Sequence, residues 1–466
     1  MPIHFGTSGW RAIIGDEFTF SNVRRVSRAI AKYIRDQRLQ NKGIIVGYDT
    51  RFLSGEFARV CARTIAADNV KAFLTVRDTP TPVIACQILE RKAAGAINIT
   101  ASHNPPQYNG IKFSSAYGGP ASIKVTEEIE RNIRLKVPLS SGKKSPIKMF
   151  DPRPAYLARI KQLVNFRAIR KSRLRIGVDV LHGTGRGYLD RLLQDAACRV
   201  WLLHEELDPL FGGLPPEPAK AQLTELVNLV RRKRLHLGLA VDGDADRFGV
   251  VDRDGSYISA NQVISLLTHH LIATRPGRKK VARTIATTHM VDALARKEGL
   301  EVVETPVGFK YIGQELAKGD CLIGGEESGG LSIAGHVPEK DGILACLLIA
   351  ELVAIRKKSL GEILKELYKE VGRYVNARKD FRLSRKDKAS FARRIKSLSR
   401  RRTLGGGRIS KFNGRDGYKF IFTDGSWLMF RASGTEPVVR CYCEANSMAR
   451  LKDLLNLGQK LVDNRR

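Results

Sequence analysis

Strand-like apolar runs alternate with amphipathic stretches along most of this 466-residue chain, and the alternation starts afresh twice. Residues 43–49, 71–76 and 94–99 are continuous apolar runs of the kind that fill a sheet covered on both faces. Between them, 22–38, 55–68 and 82–92 carry apolar residues at helical spacing. That order predicts right-handed crossovers and a parallel or mixed sheet with helices on both faces. A Ser-, Lys- and Pro-rich stretch at 138–154 reads as a linker. The pattern resumes with runs at 174–180, 199–203 and 235–241 around helices at 187–197 and 222–232. A third round uses 247–251, 280–285, 301–304 and 321–324, with a long helix near 343–357. Three rounds of one type point to a repeated domain, although no strict sequence repeat is present. After Gly372 the runs shorten to 408–412, 418–423, 427–431 and 438–444, closed by turns such as Asp424-Gly425, and a helix follows at 447–462. The expected fold class is α/β: three similar α/β/α domains (1–150, 151–258 and 259–372) and a smaller C-terminal α+β domain (373–466).

Composition narrows the function. With 43% hydrophobic and 27% charged residues the chain is an ordinary globular one. No apolar run approaches the ~20 residues that cross a bilayer. The start, MPIHFGTSGW, lacks a basic stretch followed by an apolar one, so no secretory signal is expected. Seven scattered cysteines, an odd count without repeated CxxC, argue against a disulfide framework or zinc ribbon and fit a reducing, cytoplasmic setting. The outlier is charge: 80 Lys and Arg against 47 Asp and Glu, a net +33. The basic clusters at 170–175, 231–234, 278–283, 356–358 and 393–402 are spread over the whole length, without the interleaved aromatics of a stacking platform. They read as a solvated basic surface, favourable to an anionic substrate, rather than as a nucleic-acid site.

Asp242, Asp244 and Asp246, in DGDADR, directly follow the apolar run 237–241. If that run is a strand, the alternate carboxylates converge beyond its end. Three such groups repel one another unless a cation sits among them, and all-oxygen ligands favour a hard ion such as Mg²⁺ over zinc. An EF-hand loop is excluded, because its sixth position is Arg247 rather than Gly and its twelfth Arg253 rather than Glu.

Three further loops carry chemistry. TASHNP (100–105) follows the run ending at Ile99 and presents Ser102 and His103 in a turn fixed by Pro105-Pro106. RASGTEP (431–437) combines Arg431, which can clamp a phosphate, with Ser433, Gly434 and Thr435, whose hydroxyls and backbone N–H groups form a nest for an anion. GGEESGG (324–330) sets Glu326 and Ser328 in a Gly-flanked loop suited to sugar hydroxyls. Each loop taken alone is also consistent with a plain turn or a helix cap.

In this order the four motifs resemble those of the α-D-phosphohexomutase family. TASHNPP-x-YNG-x-K is similar to its phosphoserine loop, DGDADR to its magnesium loop, GEES-G to its sugar loop and RASGTEP to its phosphate loop; the likeness runs from GTSGWR at Gly6 to the last helix. The resemblance implies four domains around a central cleft. It implies a phosphoryl group on Ser102 and Mg²⁺ held by Asp242, Asp244, Asp246 and a phosphoserine oxygen, with Arg247 steadying the transferring group. The implied reaction exchanges hexose 1-phosphate and hexose 6-phosphate through a hexose 1,6-bisphosphate that turns over in the cleft. Lys112 falls at the general acid/base position, where nearby cations are expected to lower its pKa; His103 is the alternative proton carrier. Glu326 and Ser328 would read hydroxyls, and Arg431, Ser433, Gly434 and Thr435 the distant phosphate. Arg11 matches a residue that contacts the phosphoserine loop, and Lys310 one in the cleft near substrate. Glu327 and Gly330 in the sugar loop lean toward phosphoglucomutase with accompanying phosphomannomutase activity; phosphoglucosamine mutase is the alternative. A basic nucleic-acid-binding protein on a relic of this fold is the contrasting reading, and four intact motifs argue against it. The expected partner is a small sugar phosphate, the expected state monomer or homodimer, and the fourth domain is expected to hinge at Gly372.

Overall fold

A computed structural model describes residues 3–6, 9–135, 144–433 and 438–463, with only the backbone of Arg385. Four sheets follow one another along the chain. The first contains β1 (Trp10–Ile13), β2 (Ile44–Tyr48), β3 (Ala72–Thr75), β4 (Gly95–Ile99), β5 (Tyr108–Ser115) and β6 (Ile147–Phe150). The second contains β7 (Arg175–Asp179), β8 (Arg199–Leu203), β9 (Leu237–Val241), β10 (Phe248–Asp252) and β11 (Tyr257–Ile258). The third is built from β12 (Lys280–Thr284), β13 (Glu301–Thr305), β14 (Cys321–Glu326) and β15 (Gly330–Ile333).

One kernel recurs in all three. Two crossovers lay three strands parallel, and the last of them returns as an antiparallel hairpin, giving the orders β3-β2-β4-β5, β8-β7-β9-β10 and β13-β12-β14-β15. The hairpin turn is TASHNP and the residues after it in the first sheet, DGDADR in the second and Glu327-Ser328-Gly329 in the third. The three loops read from sequence therefore leave equivalent strand ends. Their strands are apolar because both faces are covered: every residue of β4, β9 and β14 is buried.

The second and third domains share a core. The helix Gly342–Arg356 is apolar on all sides and almost wholly buried, as a helix enclosed by other elements must be. It joins Ile176, Val178 and Leu239 of the second sheet to Leu322, Ile323 and Leu331 of the third in one hydrophobic cluster. The first domain has its own core around Phe18, Ile30 and Phe57.

The fourth sheet is antiparallel throughout, in the order β16 (Val375–Arg382), β21 (Val438–Ala445), β20 (Trp427–Ala432), β19 (Tyr418–Phe422), β18 (Gly407–Asn413), β17 (Thr403–Leu404). The helix Met448–Asp463 packs on it.

Two expectations are corrected. The run at 247–251 belongs to the second round of the pattern rather than the third: β10 pairs antiparallel with β9 across DGDADR, because that loop is itself a hairpin turn. Part of the proposed linker at 138–154 is a strand, since Ile147–Phe150 pairs parallel with β3 at the sheet edge. Its side chains are largely exposed, so it lacks the apolar signature of the inner strands. Residues 138–143 of that linker lie outside the described residues.

Candidate active site

Ser102 sits in the turn between β4 and β5 with φ of 54°, a left-handed conformation that a serine holds only when its surroundings require it. The requirement comes from Arg51, just beyond β2. Its buried guanidinium donates to the carbonyls of Ser102 (2.6 Å), Asn104 (2.7 Å), Pro105 (2.8 Å) and Tyr108 (3.0 Å), and Asp49 anchors its Nε at 3.1 Å. One side chain thus folds the whole loop. Arg11, on β1, donates to the Asn104 side chain at 2.7 Å, and burial lowers its own pKa to about 10.

The fixed serine reaches the second domain. Ser102 Oγ donates to Asp242 Oδ2 at 2.9 Å and lies 3.3 Å from His103 Nδ1. Asp242, Asp244 and Asp246 are fully buried, and one oxygen from each lies within 4.8 Å of the others. Burial, then Asp244 and Asp246, push the Asp242 carboxyl well above the usual range. Burial, the largest single influence, raises Asp244 and Asp246 as well, but the charge and hydrogen bonds of Lys112, joined by Thr81 at Asp244 and by Lys340 and Arg247 at Asp246, together outweigh it and both end low. Lys112 Nζ donates to Asp244 at 2.5 Å and to Asp246 at 2.9 Å; Lys340 Nζ stands 3.0 Å from Asp246. Thr81, opening a first-domain helix, donates to Asp244 at 2.5 Å. Among the described residues, Asp244 Oδ1 and Asp246 Oδ1 remain buried without a hydrogen-bond partner. Such orphaned acceptors, with Ser102 Oγ beside them, form an all-oxygen set that fits a hard divalent cation.

The environment of Lys112 differs from expectation. Burial does depress it, but the two aspartates it touches outweigh burial and raise its pKa. The cations expected to lower it surround His103 instead. Burial, then Arg247 and Arg11, hold that imidazole well below its ordinary value and leave it neutral. Arg247 donates its backbone N–H to Asp242 and its Nη1 to Glu217 at 3.2 Å, while its buried Nε has no partner among the described residues.

Glu326 ends β14 and Ser328 lies in the turn to β15. Neither side chain has a hydrogen-bond or ion-pair partner among the described residues, so both are free to meet a ligand. Glu327 differs: it accepts from Thr284 Oγ1 at 3.0 Å, and burial, then Glu326, raise its pKa. A side chain at Gly330 would overlap the Lys340 stem, so glycine there leaves the path by which Lys340 reaches Asp246.

Arg431, Ser433 and Lys310 lie apart from the aspartate cluster. Arg431, on β20, donates its Nε to both carboxylate oxygens of Asp416 at 3.1 Å, and Asp416 also accepts from the backbone of Val307 at 2.7 Å. Lys310, two residues past Gly308, lies close enough to feel Asp416 and Arg431; burial lowers its pKa. Ser433 is buried, and its carbonyl accepts from Lys388 at 2.6 Å. Gly434 and Thr435 lie outside the described residues.

Arg51, Thr81 and Lys340 escaped the sequence reading. Arg51 had a signal in Asp49-Thr-Arg51 after a predicted strand; Thr81 and Lys340 belong to segments whose convergence on the metal loop only the fold reveals.

Models of the phosphoglucomutase/phosphomannomutase α/β/α domains I, II and III match residues 2–136, 154–255 and 259–371, and that of the C-terminal domain matches 379–456. The chain belongs to the phosphoglucomutase/phosphomannomutase family. It is an isomerase of the phosphohexomutase type. A "Phosphoglucomutase/phosphomannomutase" of Thermococcus kodakarensis is 31% identical, with 98% of each chain covered. A "Probable phosphoglucosamine mutase" of Pyrococcus abyssi is 30% identical over 99% of this chain and 98% of its own. The crystal structure of a phosphomannomutase-type protein from Thermus thermophilus superposes with a TM-score of 0.87 at 34% identity, covering all of both chains. Among the described residues, no helix is long and apolar enough to cross a membrane.

Proposed function

We propose that this family member interconverts hexose 1-phosphate and hexose 6-phosphate, with glucose phosphate as the preferred substrate, by way of a phosphoryl group on Ser102. The observation that carries the reading is Ser102 Oγ, held 2.9 Å from Asp242 inside a cluster of three buried carboxylates. Asp242, Asp244 and Asp246 would hold Mg²⁺, which supplies positive charge against the phosphoryl oxygens as charge shifts between them. Arg51 keeps the loop rigid, so that Ser102 Oγ is presented in one direction. In the forward transfer the Ser102 Oγ–P bond breaks and a bond from phosphorus to the sugar hydroxyl oxygen forms; the hydroxyl proton passes to His103, or to Lys112 once that ammonium has given its own proton to the departing Ser102 Oγ, so that the serine leaves as a neutral hydroxyl. The bisphosphorylated sugar turns over in the cleft, and its other phosphate returns to Ser102. Arg247, with its unpartnered Nε, steadies the moving group.

The far phosphate is read by Arg431, Ser433, Gly434 and Thr435, with Lys310 near Arg431, and the hydroxyls by Glu326 and Ser328. Those two groups suit either orientation of the sugar. The preference for glucose rests on Glu327 and Gly330; a change of configuration at the 2-hydroxyl is discriminated strongly only where a buried partner is left unpaired.

Coupled assays with Mg²⁺ and a trace of hexose 1,6-bisphosphate test the reading. Glucose 1-phosphate is expected to give the highest kcat/KM, mannose 1-phosphate a lower one, and Ser102→Ala none. Turnover of glucosamine phosphate alone would establish the second reading, which the Pyrococcus abyssi relative favours. Lys112→Met is expected to lower kcat by about 10²–10⁴-fold if Lys112 carries the proton. Loss on that scale in His103→Gln, with Lys112→Met near wild type, would reassign the role.

A further inference from the structure

The catalytic loops leave the C-terminal ends of β2, β4 and their equivalents. At the opposite, N-terminal end of the first sheet lies a cleft of about 440 Å³ whose lining includes Lys42, Lys71, Arg91, Lys92 and Lys148 and contains no carboxylate. The cations come from neighbouring strands in the order β4-β2-β3-β6. Lys92 precedes β4, Lys42 precedes β2, Lys71 precedes β3, and Lys148 stands in β6 opposite Phe73. Adjacent strands run about 4.8 Å apart, so the four stems converge within the reach of one small ligand. None of the four ammonium groups has an ion pair or hydrogen bond among the described residues.

Arg91 is different in kind from a mobile surface cation. Its guanidinium carbon lies 4.1 Å from the centre of the Phe150 ring and 5.3 Å from that of Phe73, and its Nε donates to Gln87 at 3.1 Å. Stacking fixes the plane, and its terminal nitrogens make no described hydrogen bond. A guanidinium so held meets phosphate oxygens with little further loss of rotamer freedom. Five like charges gathered without a counter-charge repel one another, and an anion placed among them relieves that repulsion. A single phosphate is too short to touch cations delivered by four strands; a chain of phosphoryl groups is not.

We propose that this cleft is a second, non-catalytic site that binds a short linear polyphosphate, free or carried by a nucleotide. The site is independent of Ser102 and of the family reaction.

Titration calorimetry on the full-length protein tests it, with inorganic tripolyphosphate and ATP as separate probes and inorganic phosphate as reference. One tripolyphosphate per chain is expected, bound at least about tenfold more tightly than phosphate. Binding of ATP as well would mark the phosphate chain wherever carried; binding of tripolyphosphate alone would confine the site to the free anion. Lys71→Glu/Lys92→Glu is expected to weaken binding at least about tenfold and to leave mutase activity and the circular dichroism spectrum unchanged. Lys171→Glu/Lys233→Glu removes the same charge from exposed positions elsewhere and is expected to bind like wild type. No binding, equal loss in both variants, or unchanged binding in the cleft variant would overturn the proposal; the last would place the anion in the catalytic cleft.

Discussion

Asp244 and Asp246 each keep one buried oxygen without a partner while sharing Lys112 through the other. A cation that satisfies those oxygens binds the folded state only. At Mg²⁺ about 100-fold above its dissociation constant, the protein should gain about 2.7 kcal/mol of stability. Thermal melts with Mg²⁺ and with a chelator read that gain, and Asp244→Asn should lose most of it. The spacing of these aspartates made the cluster legible in the sequence, although a hairpin turn with Ala245 at φ of 55°, rather than a continued strand, brings them together. The state of Lys112 was not legible. Its pKa follows from two carboxylates more than 130 positions away in the chain, which outweigh the cations near it. Lys340 was missed for the same reason: a surface-type residue in a Pro-Glu-Lys-Asp segment gives no sign that it will meet Asp246.

The repeated element is the strand–loop–return-strand hairpin, and each functional loop of the first three domains is its turn. Continuous apolar runs betrayed the outgoing strands β4, β9 and β14. The returning β5 was missed, since it begins with Tyr-Asn-Gly and is buried unevenly along its length. The amphipathic helix Ile123–Arg134 escaped notice behind its charged residues. Behind DGDADR, the helix Gly342–Arg356 starts so close that Gly342 N–H donates to the Ala245 carbonyl at 3.1 Å. A Cβ at Gly342 would overlap the Arg247 carbonyl, a backbone atom that cannot swing aside. Gly342→Ala should therefore cost about 1–3 kcal/mol, as overpacking of a filled core does. It should also weaken the Mg²⁺-dependent stabilisation, because relief requires the metal loop to move. Denaturant unfolding with and without Mg²⁺ measures both effects; a wild-type melt would show that the helix start is looser than its packing implies.

Across the whole molecule, the fourth domain docks on the third through a buried lysine. Lys419 Nζ donates to the Ile285 carbonyl at 2.6 Å, lies 2.8 Å from His289 Nε2, and stands 4.1 Å from the centre of the Trp427 ring. Burial, then the nearby Arg283, lower its pKa from 10.5 to about 7. Between those values the unfolded chain holds a proton that the folded one has lost, so stability rises with pH through the window. Below about pH 7 both states are protonated and the penalty is constant. The stability of wild type relative to Lys419→Met should therefore increase from about pH 7 toward about pH 10, as followed by urea unfolding; a pH-independent difference would contradict the lowered pKa. Gly372, with φ of 88° and open space around it, stands between the segments matched by the third and C-terminal domain models. The net charge of +33 belongs to this scale too, and the polybasic cleft accounts for only a small part of it. The central claim, that Ser102 carries the phosphoryl group between two sugar positions, is tested most directly by mass spectrometry of the Ser102 peptide. The enzyme is incubated with glucose 1,6-bisphosphate and then chased with excess hexose monophosphate. A phosphoryl increment on Ser102 that forms in the first step and leaves in the second, at the rate of turnover, is the predicted result. Full mutase turnover with Ser102 never phosphorylated, or phosphorylated and inert to the chase, would contradict it.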